Sequence, residues 1–221
     1  YTSGTTGVPK GVAITNGALV QWFRAAESDP DTAWRSSDVG LMVMPNFHLA
    51  GTWVSLPALM HGATLVVLPA FEPDTFLSAV SEYGVTRTCL VPTAIEAVVQ
   101  ALHNYPADLT SLRSVMYAGS PIASHTLRSV IDAFDCDLVQ FYGTTETFII
   151  TLLRPDQHRL DAAQILRSCG QPMPPVRVRL IDDNGAAVSD GVPGEVLVRS
   201  PWMFGGYWRN QEATQAVLSD G

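Results

Sequence analysis

Ten residues at the start of the chain carry a high density of groups that can bind an anion. Thr2-Ser3-Gly4-Thr5-Thr6-Gly7-Val8-Pro9-Lys10-Gly11 holds four hydroxyls, three glycines and one ammonium, and Lys10 is the single lysine among 221 residues. Glycines let successive backbone N–H groups turn toward an anion, hydroxyls add donors, and a lysine supplies a point charge for phosphate. The pattern is not the common phosphate loop, in which Gly-Lys-Ser/Thr opens a helix. Here Lys10 is framed by Pro9 and Gly11, and an apolar, strand-like Val12-Ala13-Ile14 follows. On composition alone a flexible surface loop is the competing reading.

The remainder of the chain has to position that loop. Hydrophobic residues make up 47% and charged residues 15%, which is a globular composition with enough apolar material for a sizeable core. The net charge of −8, with no basic stripe, argues against nucleic acid as a partner. Cys89, Cys136 and Cys169 are scattered and form no Cys-x-x-Cys pair, which fits a reducing compartment and no zinc site. Apolar runs such as 64–68 and 148–153 are too short to span a bilayer.

Apolar periodicity predicts a helix over 16–27, with Leu19, Trp22, Phe23 and Ala26 on one face. Short strands are expected at 39–44 and 63–68. There follows an alternation: helix 73–83 ended by Gly84, strand 85–91, helix 94–102, strand 114–117, helix 124–134 and strand 138–142. Such alternation implies an α/β fold with a mixed sheet flanked by helices, and ligands at the carboxyl ends of its strands. The loops after Tyr117 and Tyr142 are therefore of first interest. From residue 170 the pattern turns β-rich, with period two over 176–181, a hairpin signal at Asn184-Gly185 and a strand at 194–199. The expected organisation is an α/β part over 1–169 and a small β-rich subdomain over 170–221.

Four segments in order resemble the signatures of the adenylate-forming superfamily of acyl-CoA synthetases, luciferases and peptide-synthetase adenylation domains. They are the loop at 2–10, Ala118-Gly119-Ser120-Pro121, Phe141-Tyr142-Gly143-Thr144-Thr145-Glu146, and Gly194-Glu195-Val196 with Gly206-Tyr207-Trp208. The resemblance spans essentially the whole chain and implies a set of roles. Thr2, Ser3, Gly4, Thr5, Thr6, Gly7 and Lys10 would hold the ATP phosphates. Tyr142 would stack on adenine against Gly119, Ser120 and Pro121, with Gly143 beside it. Thr145 would contact phosphate, and Glu146 would carry Mg2+ as a hard oxygen ligand. Taken alone, Tyr142 reads as a half-buried strand-end tyrosine and Glu146 as a surface carboxylate, and only the motif gives them these roles.

The implied reaction has two steps. A carboxylate attacks the α-phosphate of ATP and expels pyrophosphate, and the acyl-adenylate then passes its acyl group to a thiol, that of coenzyme A. The first step is positioning and charge neutralisation, in which Lys10, Thr145 and Glu146 would take part. Pro45-Asn46-Phe47-His48-Leu49-Ala50-Gly51 resembles the Pro-x-Phe-His-x-x-Gly segment of acyl- and aryl-CoA synthetases, which favours a CoA ligase over a peptide-synthetase domain. Phe47, His48, Trp53, Gly143 and Thr144 are candidates for the acid pocket, although His48 reads equally as a structural cap. Fatty, aryl and short branched acids all remain open to such a pocket, and a fatty acid is expected because the sequence around 201–214 resembles the bacterial fatty-acyl branch. The cytoplasm is the expected location, peripheral to a membrane if the acid is long-chain.

The chain departs from the family in three ways. It stops before the Trp-x-x-Thr-Gly-Asp motif and the small C-terminal domain with the catalytic lysine, and it lacks the family's preceding segment. Phe141 stands where many relatives have glycine. An internal piece of this kind is expected to be a poor catalyst alone, and a nucleotide-binding remnant without catalysis is the remaining alternative.

Overall fold

The computed structural model describes residues 1–2, 8–159 and 165–218. Two compact units share the chain: Tyr1–Ser28, Gly143–Ile150 and Pro172–Gly221 form one, Asp29–Tyr142 and Thr151–Gln171 the other.

In the first unit, helix α1 (Asn16–Ser28) buries Ala18, Trp22 and Ala26, one stripe at a spacing of four. Thr15 starts it: the hydroxyl accepts from the Ala18 amide at 3.1 Å.

The second unit is built on parallel strands. Strand β1 (Val39–Met42) is followed by helix α2 (Leu49–Met60), β2 (Thr64–Val67) and α3 (Pro73–Tyr83). Next come β3 (Arg87–Leu90), α4 (Pro92–Leu102), β4 (Ser114–Tyr117), α5 (Ser124–Ala133) and β5 (Asp137–Thr144). The expected alternation is present, and its punctuation has visible causes. Pro73 opens α3 and Gly84 closes it in the left-handed conformation at φ 61°. Every residue of β3 and β4 is buried, as central parallel strands covered on both faces must be.

Strand β5 continues into the first unit at Gly143, and β6 (Phe148–Leu153) returns after a three-residue turn. With β7 (Gln171–Pro172) the sheet order is β2-β1-β3-β4-β5-β6-β7, mixed in direction. Asp38, fully buried before β1, ties neighbouring strands at their amino ends. It pairs with Arg87 at 3.4 Å and with Arg113, and accepts from the Thr86 hydroxyl at 3.1 Å.

Two elements of this sheet assembly went unassigned in the sequence. Helix α2 is apolar nearly all round and contains Pro57, so no polar face marks its period. Strand β6 is six consecutive buried residues, an apolar run without alternation.

Strands β8 (Arg177–Ile181) and β9 (Glu195–Arg199) form an antiparallel pair in the first unit, from Arg177↔Arg199 to Ile181↔Glu195. Asn184-Gly185 does turn the chain, with Gly185 at φ 80° and Asp182 Oδ1 accepting from two amides. The residues it returns make only a bridge, Ile181↔Ala187, and the full partner of β8 lies further on. A short helix, α6 (Gln211–Gln215), capped by Asn210, completes the unit. Among the described residues no helix is long and apolar enough to cross a membrane.

Candidate functional site

The glycine-rich loop of the first unit is closed at its neck. The Thr2 amide donates to the Lys10 carbonyl at 3.0 Å, and the Lys10 amide returns a bond to the Thr2 carbonyl at 3.1 Å. Ser3, Gly4, Thr5, Thr6 and Gly7 lie outside the described residues. The Thr2 hydroxyl is buried without a hydrogen-bond partner, a polar group that an incoming acceptor would satisfy.

Past the neck, the chain pairs with the Gly-Tyr motif from the far end of the sequence. Val12 bridges Tyr207, the Ala13 amide donates to the Gly206 carbonyl at 2.9 Å, and the Trp208 amide donates to Gly11 at 2.7 Å. Gly206 is required at that point: its φ is 117°, and an added Cβ would lie 2.9 Å from Thr214 Cγ2. Thr214 accepts the Tyr207 amide at 2.9 Å through its hydroxyl.

The turn between β5 and β6 carries Thr145 and Glu146. Thr144 and Thr147 lash it on both sides, with Thr144 N to Thr147 Oγ1 at 3.0 Å and the two hydroxyls 3.1 Å apart. Gly143 permits the tight return, since a Cβ there would fall 1.7 Å from the Phe148 carbonyl oxygen. Phe148 itself has φ 54°, costly for a bulky residue, and its buried ring stacks on Trp22 at 5.9 Å. Glu146 is held twice by the Gly-Tyr segment. Its carbonyl accepts from the Phe204 amide at 2.9 Å, and its Oε1 accepts from the Tyr207 hydroxyl at 2.8 Å.

Tyr207 thus has a second neighbour of interest. The ammonium of Lys10 stands 4.5 Å from the centre of its ring. Burial, and then the hydrogen bond to the Glu146 carboxylate, push the Tyr207 phenol up to about 12. The hydroxyl therefore stays protonated and donating at neutral pH.

Three motifs separated by up to two hundred residues meet here: a cation, a carboxylate and an aromatic donor between them. The set fits a phosphate with a divalent cation. Among the described residues Lys10 has an aromatic face in place of a carboxylate partner, so its charge is available to an anion. Among the described residues no three His, Cys, Asp or Glu side chains cluster, so magnesium at Glu146 would draw most of its ligands from phosphate and water.

In the second unit, Gly119, Ser120 and Pro121 follow β4 and are exposed, with Gly119 at φ 94°. Strands β4 and β5 run parallel with Tyr117 opposite Gln140. Two residues further on each strand are Gly119 and Tyr142, so both stand at the carboxyl end of the sheet. The Tyr142 side chain is 38% exposed, leaving ring surface for a flat ligand.

The candidate pocket residues have distinct surroundings. Phe47 is 94% exposed, and His48 caps α2 by accepting the Ala50 amide on Nδ1 at 3.2 Å. That bond places the ring proton of neutral His48 on Nε2. Trp53 is buried, and its ring meets Phe141 edge-on at 5.6 Å. Gly143 and Thr144 belong to the turn that carries Glu146.

Tyr207 and Thr147 were absent from the residues singled out by sequence. Tyr207 lay in a recognised motif without a chemical role, and Thr147 directly follows the Thr-Thr-Glu run.

Comparison with known proteins adds to this picture. Residues 1–208 match the model of the family described as AMP-binding enzyme. The chain is 31% identical, over its whole length, to a fatty acid–[acyl-carrier-protein] ligase of Streptomyces coeruleorubidus, covering 43% of it. It is 37% identical to an indoleacetate–CoA ligase of Aromatoleum aromaticum, covering 42% of that protein. In structure it resembles the o-succinylbenzoate coenzyme A synthetase of Bacillus subtilis in complex with ATP and magnesium. The TM-score is 0.84 at 27% identity, over 100% of this chain and 44% of the other. The chain thus spans less than half the length of each.

Proposed function

Because the chain belongs to the AMP-binding enzyme family, we propose that it is the ATP-handling part of a ligase that activates a carboxylic acid as its acyl-adenylate and passes the acyl group to coenzyme A. One observation carries the reading: the Tyr207 side chain touches both the Lys10 ammonium and the Glu146 carboxylate, bringing three distant motifs together.

The roles follow from the chemistry of each group. Lys10 and Thr2, with residues 3–7 of the loop, bind the β- and γ-phosphates, and Thr145 adds a hydroxyl donor. Glu146 holds Mg2+, which when bound would neutralise the charge of the departing pyrophosphate. Tyr142 presents its ring to adenine, and Gly119, Ser120 and Pro121 offer exposed backbone for its edge. Phe47, His48 and Trp53 are the residues we assign to the acid. We place the boundary of the β-rich subdomain at residue 170, and the α/β part of the ATP-binding domain before it.

A fatty acid is the proposed substrate. The fatty-acid ligase relative supports it, and the indoleacetate relative makes an aryl acid the comparison to run. The test is pyrophosphate release by the whole ligase that contains this segment, with ATP, Mg2+ and a panel of fatty, aryl and amino acids. Release with fatty acids, followed by acyl-CoA formation, is expected; activation of amino acids alone would overturn the assignment. Lys10→Ala is expected to weaken ATP binding at least tenfold, through loss of a charge-assisted contact to phosphate. Unchanged affinity would remove the role given to the loop.

A further inference from the structure

Tyr207 has so far been given no chemical role of its own, yet its surroundings are tightly constrained. Its amide is fixed on Thr214, its neighbours Gly206 and Trp208 are hydrogen-bonded to Ala13 and Gly11, and its ring packs edge-on against Phe204 at 5.1 Å. The backbone that carries Tyr207 is therefore stitched to the strand segment that begins one residue after Lys10. The backbone of Tyr207 cannot drift relative to that of Lys10 without breaking those bonds.

The two ends of the side chain do different things. The face receives the Lys10 ammonium at 4.5 Å, and the hydroxyl donates to Glu146 Oε1 at 2.8 Å. A lysine and a glutamate brought together without a spacer would close on each other as an ion pair, and each would then be spent before a ligand arrived. A ring face holds an ammonium more loosely than a carboxylate does, so the cation can transfer to a phosphate. The hydroxyl meanwhile occupies one lone pair of the carboxylate and fixes its orientation, as partners of metal-binding carboxylates do.

We propose that Tyr207 is a positioning residue of the phosphate centre, holding Lys10 on its ring and Glu146 on its hydroxyl so that both remain available, oriented, to a metal-bound triphosphate. The proposal rests on the roles given above to Lys10 and Glu146. It divides the work of one side chain into a face that serves the phosphate and a hydroxyl that serves the metal.

The test is ATP binding to the full chain by calorimetry, in EDTA and again with Mn2+ as the metal probe, with thermal melting as the check on folding. Tyr207→Phe keeps the face and removes the hydroxyl. Affinity in EDTA should stay within about twofold, while the gain on adding Mn2+ should shrink roughly tenfold, the lower end of the effect of removing a group that orients a metal ligand. Paramagnetic resonance of bound Mn2+ should show an altered site. Tyr207→Leu removes both and should weaken ATP in EDTA as well. In a Glu146→Gln background, Tyr207→Phe should have no further effect on the Mn2+ gain.

Equal losses for Tyr207→Phe with and without metal, or none in either, would overturn the proposal, and so would full additivity with Glu146→Gln. Should Tyr207→Leu not fold, Tyr207→Phe decides alone, because it keeps the packed ring. Lys10→Ala and Glu146→Gln are the controls on the underlying reading. If neither alters nucleotide or metal binding, the site itself is misplaced; if both do and Tyr207→Phe does not, only the role of Tyr207 falls.

Discussion

The Tyr117 hydroxyl lies 2.9 Å from Nε2 of the buried His158, whose other ring nitrogen lies 2.8 Å from the Arg154 carbonyl oxygen. A carbonyl only accepts, so Nδ1 of His158 carries the proton and Nε2 accepts from Tyr117. A second proton on the ring would meet the hydroxyl hydrogen and a buried site. Burial, against the opposing pull of the Arg154 carbonyl and of Asp156, holds the His158 pKa below its ordinary value.

The sign of the pH dependence follows. With the folded pKa below the unfolded one, the unfolded chain takes up protons first as pH falls. The stability contributed by neutral His158 is complete above its ordinary pKa of about 6.5 and is lost progressively below it. Urea midpoints of the wild type should therefore drop between pH 7.5 and 5.5, and the drop should be smaller in His158→Gln. Tyr117→Phe, which strands the Nε2 acceptor, should cost about 1–3 kcal/mol at pH 7.5.

Asp38 gives a second prediction. Its carboxylate is buried among Arg87, Arg113, the Thr86 hydroxyl and the Arg35 amide. Removing it leaves Arg87, itself only 7% exposed, without its ion-pair carboxylate and with only the weaker pull of Asp137 and Asp31. Asp38→Ala should destabilise by about 3–5 kcal/mol, measured by urea unfolding. Asp38→Asn keeps the volume but not the charge, and should recover part of that loss at most.

Gly143 gives a third. A methyl group there would lie 1.7 Å from the Phe148 carbonyl oxygen, a backbone atom that no rotamer change can move aside. Gly143→Ala must open the β5–β6 turn, at a cost of about 3 kcal/mol or more. The same opening displaces Glu146, so Mn2+ binding should fall together with the urea midpoint. A variant that lost metal binding at full stability would separate Gly143 from the turn and return it to direct ligand contact.

These contacts bear on what a sequence discloses. Gly84 and Pro73 bound α3 by local chemistry, and both ends were legible residue for residue. The places of β3 and β4 were legible from the alternation of strand and helix, but their burial on both faces was not, because Arg87, Thr88 and Ser114 break any apolar run. Helix α2 was not, because a helix enclosed on all sides has no amphipathic signature, and Pro57 and Gly51 within it read as breakers. Gly51 sits there because a Cβ would fall 2.5 Å from the Pro45 carbonyl, a fact of tertiary packing alone. At the site, Lys10 and Glu146 were legible by type and motif. Their link through Tyr207 was not, since pairing of residues 11–13 with 205–208 is a long-range register that no local pattern encodes.

The cap on α2 gives the last prediction and bears on which of two readings of His48 holds. Nδ1 of His48 accepts the Ala50 amide, one of the donors that the first turn of a helix leaves without an intrahelical partner. An Asn side chain at the same position offers an oxygen of similar reach and is among the best residues for starting a helix. His48→Asn should therefore keep stability within about 0.5 kcal/mol, while His48→Ala should lose about 1 kcal/mol, both read from urea unfolding. His48 is exposed, and the Nε2–H of its neutral ring lies on the side away from the cap bond. If His48 serves the acid as well as the helix, His48→Asn will raise the KM for the acid while its melting temperature stays unchanged. Equal acid KM in wild type and His48→Asn would leave His48 a cap alone, because the Asn variant preserves the cap while replacing the imidazole and its Nε2–H by a shorter amide.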